Sequence, residues 1–108
     1  MATQTVEFKR KWDGMLVNCW IKQGDEKRKK LPFTNDFATA SLDDAVTYRM
    51  IWEATGEAGT ELTIEYKVQG TQDFKTVVKE WKMPPKSGAV PGELLTRRDE
   101  VSFVPRAS

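Results

Sequence analysis

The chain has 108 residues, 17 basic and 16 acidic side chains, no histidine and a single cysteine. That length is one domain's worth and can bury a core without disulfide or metal staples. The near-cancelled charge leaves no overall field toward polyanions or membranes, and the missing imidazole removes the commonest general base, zinc ligand and pH switch together.

Lone Cys19 excludes an intramolecular disulfide and no leader-like segment follows Met1, so the expected setting is reducing and cytoplasmic, or secreted after trimming. No apolar run approaches the ~20 residues that a spanning helix needs.

Met1 to Gln4 reads as a frayed end. From Thr5 to Trp12 the chain alternates, with Val6, Phe8 and Trp12 on one face and Arg10 interrupting the apolar row. Asp13-Gly14 is a dipeptide suited to a two-residue type I′ turn, and a β-rich run resumes from Met15 to Lys22; this predicts a hairpin. Val17, Cys19 and Ile21 then share one face, and Leu16, Asn18, Trp20 and Lys22 the other.

Gly24 to Lys30 (G-D-E-K-R-K-K) has no apolar residue and reads as a solvated loop or hairpin tip closed by Pro32. Phe33 to Ala40 is short and irregular: Asn35-Asp36 suits a turn between Phe33 and Phe37, two expected core anchors of a poor edge strand. Ser41 to Gly56 is readable two ways. Ser41 and Asp44 resemble a helix start and Gly56 a helix end, but the β-branched and aromatic content favours a strand from Val46 to Ala54, with Leu42 to Asp44 as a single turn before it.

Glu61 to Val68 (E-L-T-I-E-Y-K-V) alternates strictly over its whole length, so Leu62, Ile64, Tyr66 and Val68 belong in a core. Across Gly56 to Gly59 this strand is expected to pair with the preceding one. Gly70 to Gln72 makes the next turn. In Asp73 to Met83 the adjacent Val77 and Val78 break the alternation, which predicts a bulge and leaves the side taken by Trp81 dependent on its position. Pro84-Pro85 ends that strand, and Lys86 to Gly92 is a surface loop. Glu93 to Glu100 fits either a helical turn or a strand from Leu94 to Arg97, hairpinned through Arg98-Asp99 onto Val101 to Val104.

Six or seven short strands with at most one or two helical turns describe a single all-β domain over residues 1–108. The expected fold is an antiparallel β-sandwich of immunoglobulin or fibronectin-III-like architecture, with a small barrel as the alternative. The Cys…Trp…Cys hallmark of true immunoglobulin domains is missing.

Of the four tryptophans, Trp12 and Trp52 fall on apolar faces and read as core. Trp20 and Trp81 fall on mixed faces and are the candidate binding residues, since exposed indoles stack on sugars and anchor protein interfaces. Lys27, Arg28, Lys29 and Lys30 form a weaker candidate. They could neutralise phosphates, but Asp25 and Glu26 flank them and no nucleic-acid motif accompanies them, so a nucleic-acid partner is not expected. Asn35, Asp36, Asp43 and Asp44 match no calcium-loop spacing, so no metal is assigned. Cys19 alternates with core residues and lacks an activating base. Neither a phosphate-binding glycine loop nor a nucleophile elbow is present, and no cofactor is implied.

These residues point to a non-catalytic module that binds a protein partner or a second copy of itself. A carbohydrate-binding module using surface Trp is the alternative.

Overall fold

The computed structural model describes residues 3–71, 73–88 and 90–106. It is an antiparallel β-sandwich of eight strands: β1 (Thr3–Trp12), β2 (Leu16–Gln23), β3 (Lys29–Lys30), β4 (Phe37–Asp43), β5 (Tyr48–Gly56), β6 (Glu61–Val68), β7 (Lys75–Lys82) and β8 (Leu95–Phe103). They form two four-stranded sheets, ordered β4-β1-β6-β7 and β3-β2-β5-β8. No helix occurs among the described residues, and none is long and apolar enough to cross a membrane.

The core follows the period-two pattern of the strands. Leu62, Ile64, Tyr66 and Val68 are buried on β6, Val17, Cys19 and Ile21 on β2, and Tyr48, Met50, Trp52 and Ala54 on β5. Val6 and Phe8 of β1 lie beside the β6 residues in the first sheet and face those of β2 and β5 in the second. Arg10, the residue that interrupts that row, stays on the inner side and spends its charge locally. Its Nη1 donates to the Val17 carbonyl at 2.9 Å, its Nε faces Asp36 Oδ1 at 3.3 Å, and its guanidinium lies 4.6 Å from the Phe33 ring centroid.

The predicted β1–β2 hairpin does not form. The two strands lie in opposite sheets, and Asp13-Gly14 carries the chain from one layer to the other. Gly14 is not in the left-handed region that a type I′ turn requires. It is needed for space instead: a Cβ there would meet Trp12 Cε2 and Cζ2 at 2.3 Å, and one at Gly56 would meet Trp12 Cζ2 at 2.8 Å. The Trp12 ring therefore rests on two bare backbone segments. A true type I′ pair occurs at Asn35 (φ 50) and Asp36 (φ 68), closed by reciprocal hydrogen bonds between Thr34 and Phe37.

Other expectations are corrected in the same way. β5 and β6 do not pair with each other; Gly56 to Thr60 crosses between sheets, and β6 joins β1 and β7. Arg98-Asp99 makes no turn, because β8 runs unbroken along β5 from Leu95 to Phe103. Leu42 and Asp43 belong to β4 rather than to a turn, and β5 begins at Tyr48 rather than Val46. Phe37 is no core anchor, being 53% exposed, whereas Phe33 is half-buried under Arg10. Thr3 and Gln4 are not frayed: they pair with Asp43 and Leu42, and Gln4 Nε2 donates to the Pro105 carbonyl. The turn assigned to Gly70 to Gln72 and the Lys86 to Gly92 loop lie partly outside the described residues, at Gln72 and Ala89.

β7 carries the predicted bulge, and more than one irregularity. Its register against β6 shifts twice, between Leu62 and Ile64 and between Ile64 and Glu65, and Glu80 adopts φ 47. This puts Val78 and Trp81, three positions apart, on the same inner side.

Tyrosine hydroxyls fasten the chain where it leaves the sheets. Tyr48 Oη accepts the Asp43 amide at 2.8 Å across the β4–β5 crossing. Tyr66 Oη donates to the Val104 carbonyl, and partial burial pushes its pKa up.

Candidate interaction surface

Each sheet ends in two edge strands, and an unpaired edge offers backbone donors and acceptors to any passing chain. Three of the four edges carry devices that discourage this. β3 is two residues long and both are lysine. β7 is twice interrupted in register and presents Lys75, Lys79 and Lys82. β8 places Arg97, Arg98, Asp99 and Glu100 in succession. β4 has no such guard: F-A-T-A-S-L contains no charge, proline or glycine before Asp43.

The free groups on β4 follow from its ladder. The Arg10 amide donates to the Asp36 carbonyl on the β1 side, while Phe37 exchanges hydrogen bonds with Thr34 on the other. Because successive residues alternate, Ala38, Ala40 and Leu42 turn their backbone groups to β1, and Thr39 and Ser41 turn theirs outward. At the far end the Asp43 amide is taken by Tyr48 Oη and its carbonyl by the Val46 amide. The open segment is thus Thr39 to Ser41.

Beside it, between the edges of the two sheets, lies a cleft of about 340 Å³. Ile21, Leu31, Leu42 and Tyr48 give it an apolar floor, and Thr39, Ala40 and Ser41 form one wall. The opposite rim carries Lys27, Lys29 and Lys30 with a single acid, Glu26. Lys29 pairs with Ile21, a core-facing residue, so its side chain lies on the face toward the other sheet.

Of the basic run, Arg28 is turned elsewhere. Its guanidinium sits 4.3 Å from the Trp20 ring centroid, which partly covers that half-buried indole on the outer face of β2. Lys30 pairs with Trp20 on the same face. Trp81 is far from this group. It packs against Trp12 (6.4 Å between centroids) and edge-on against Trp52 (5.7 Å), and its Nε1 donates to Asp99 Oδ2 at 3.1 Å, linking edges β7 and β8. The two candidate indoles are therefore not brought together. Each is half-buried and has a partner against its ring: Arg28 at Trp20, and Trp12 and Trp52 at Trp81.

Other chemistry is local. Burial pushes the Cys19 thiol up to about 12, opposed only in part by Arg10. Among the described residues, no group of three or more His, Cys, Asp or Glu side chains is placed to hold a metal. A second cleft, of about 570 Å³, runs beside Arg10, Trp12, Leu16, Val17 and Phe33, but the Arg10 guanidinium within it is committed to Val17, Asp36 and Phe33. Comparison with family models, curated proteins and solved structures yields no match to this chain.

The sequence had marked a poor edge strand over Phe33 to Ala40, whereas the edge strand β4 runs from Phe37 to Asp43. The available signal was the uncharged run from Phe37 to Leu42.

Proposed function

We propose that the protein is a non-catalytic binding module that engages another polypeptide by pairing it, as an added strand, with β4. The supporting observation is the contrast between edges: three are blunted by length, charge or bulge, and the fourth presents the N–H and C=O of Thr39 and Ser41 without a guard. Backbone pairing supplies affinity in this mode, and flanking side chains supply selectivity.

The finer fold reading is an immunoglobulin-like sandwich. Two features support it. Tyr48, at the start of β5, bonds back to the chain five residues upstream, as the tyrosine corner of such domains does. The order β3-β2-β5-β8 also follows the C′-C-F-G sheet, with β1 and β4 in the B and E places and β6 where strand A lies.

Ser41→Pro tests the function. It deletes an outward N–H without touching the β1–β4 ladder, which uses Ala38, Ala40 and Leu42. A displayed library of extended peptides panned on the wild type is expected to yield binders whose affinity falls at least tenfold on the folded variant. A library that yields none, or binders indifferent to Ser41→Pro, refutes strand addition.

A further inference from the structure

Resting on that reading, we infer that the strand β4 accepts is an acidic one, from a different polypeptide. An added strand next to β4 would alternate its side chains between the outer face of its sheet and the inner side, which here opens on the cleft. Inner-side groups would meet Lys27 and Lys29 against Glu26 alone, over the apolar floor of Ile21, Leu31, Leu42 and Tyr48. Glutamate suits this place: its methylenes cover the floor and its carboxylate reaches the ammonium groups. The Asp43 end adds an acid to the edge, but its carboxylate accepts the Ala45 amide at 2.9 Å and is engaged in the turn.

The same positive rim argues against a second copy of this chain. Two β4 strands with Thr39 opposite Ser41 would satisfy all the open backbone groups, but a twofold axis through Ala40 would turn both lysine rims toward one gap. Four lysines, Lys27 and Lys29 of each copy, against two glutamates there would repel, whereas an acidic strand neutralises the rim.

The test uses the full chain and three synthetic eight-residue peptides that alternate threonine with glutamate, serine or lysine, followed by NMR titration of the backbone amides. The glutamate peptide is expected to shift the Thr39 and Ser41 amides and to bind at least tenfold more tightly than the serine peptide at low salt. That margin should shrink severalfold between about 50 and 500 mM NaCl as salt screens the charge pairing. Replacing Lys27 and Lys29 by Gln should erase the margin while the serine peptide keeps its affinity, and Ser41→Pro should abolish binding of every peptide. Glutamate and serine peptides that bind equally, both lost on Ser41→Pro, overturn the acidic preference and leave strand addition standing. Binding insensitive to Ser41→Pro overturns both. A dimer in sedimentation equilibrium that Ser41→Pro dissociates overturns the choice of partner in favour of self-pairing. Circular dichroism and urea midpoints of the variants keep loss of binding separate from loss of fold.

Discussion

Gly14→Ala isolates the packing that places β1 and β2 in opposite sheets. The added methyl would lie 2.3 Å from two Trp12 ring carbons, a distance that requires movement, and the ring is held by the Gly56 backbone and by Trp81. Overpacking of this kind costs about 2 kcal/mol, equivalent to a fall in Tm of roughly 8 °C in a domain of this size. Urea denaturation followed by tryptophan fluorescence measures it. Two further variants separate causes. A positive-φ turn would tolerate Asn at position 14, so under that explanation Gly14→Asn would be nearly neutral; under a steric one it costs at least as much as Ala. Trp12→Phe removes the crowded part of the indole, so the double variant should be more stable than additivity predicts by ~1 kcal/mol or more. A Gly14→Ala protein within ~0.5 kcal/mol of wild type, or strict additivity in the double variant, would refute the steric account.

Cys19 should not react with a disulfide reagent in the folded protein and should react fully in urea, as timed by absorbance. Its thiol is raised from 9.0 to about 12 on folding, so the folded state holds the proton more tightly; stability is intact below pH 9 and falls as pH rises toward 12, by up to ~1.4 kcal/mol per pH unit. Cys19→Ala should show a shallower alkaline fall in urea titrations over that window, and an unchanged slope would contradict the assignment. Trp81→Phe should lose about 1 kcal/mol with its hydrogen bond to Asp99, and combining it with Asp99→Ala should add little more; full additivity of the two would show that the bond contributes nothing. Glu80, exposed at φ 47, is strained, so Glu80→Gly should gain on the order of 0.5 kcal/mol and Glu80→Ala should not, with matching urea midpoints for the two as the contrary result.

The sequence alone determined which face of most strands is buried. In β6, every second residue from Leu62 to Val68 is apolar, and a pleated strand sends such residues to one face whatever lies beside it; the same rule located the buried faces of β2 and β5 and, through Val77-Val78, the disturbance in β7. It also marked an edge strand over Phe33 to Ala40, which overlaps the first part of β4, and the solvated basic run before it. Neighbours were another matter. Alternation fixes which way a side chain points but carries no information about which strand supplies the next rung, so Asp13-Gly14 and Gly56 to Gly59 were taken for hairpin turns when both carry the chain between sheets. Only the packed structure decided that: the Trp12 ring needs the bare backbone of Gly14 and Gly56 beneath it, and β5 lies between β2 and β8. The candidate surface belongs to the same category. Whether the Thr39 and Ser41 backbone is open depends on where β4 falls in its sheet, and whether Lys27 and Lys29 face it depends on β3 ending the opposite sheet on the same side, a juxtaposition of segments that no local pattern encodes.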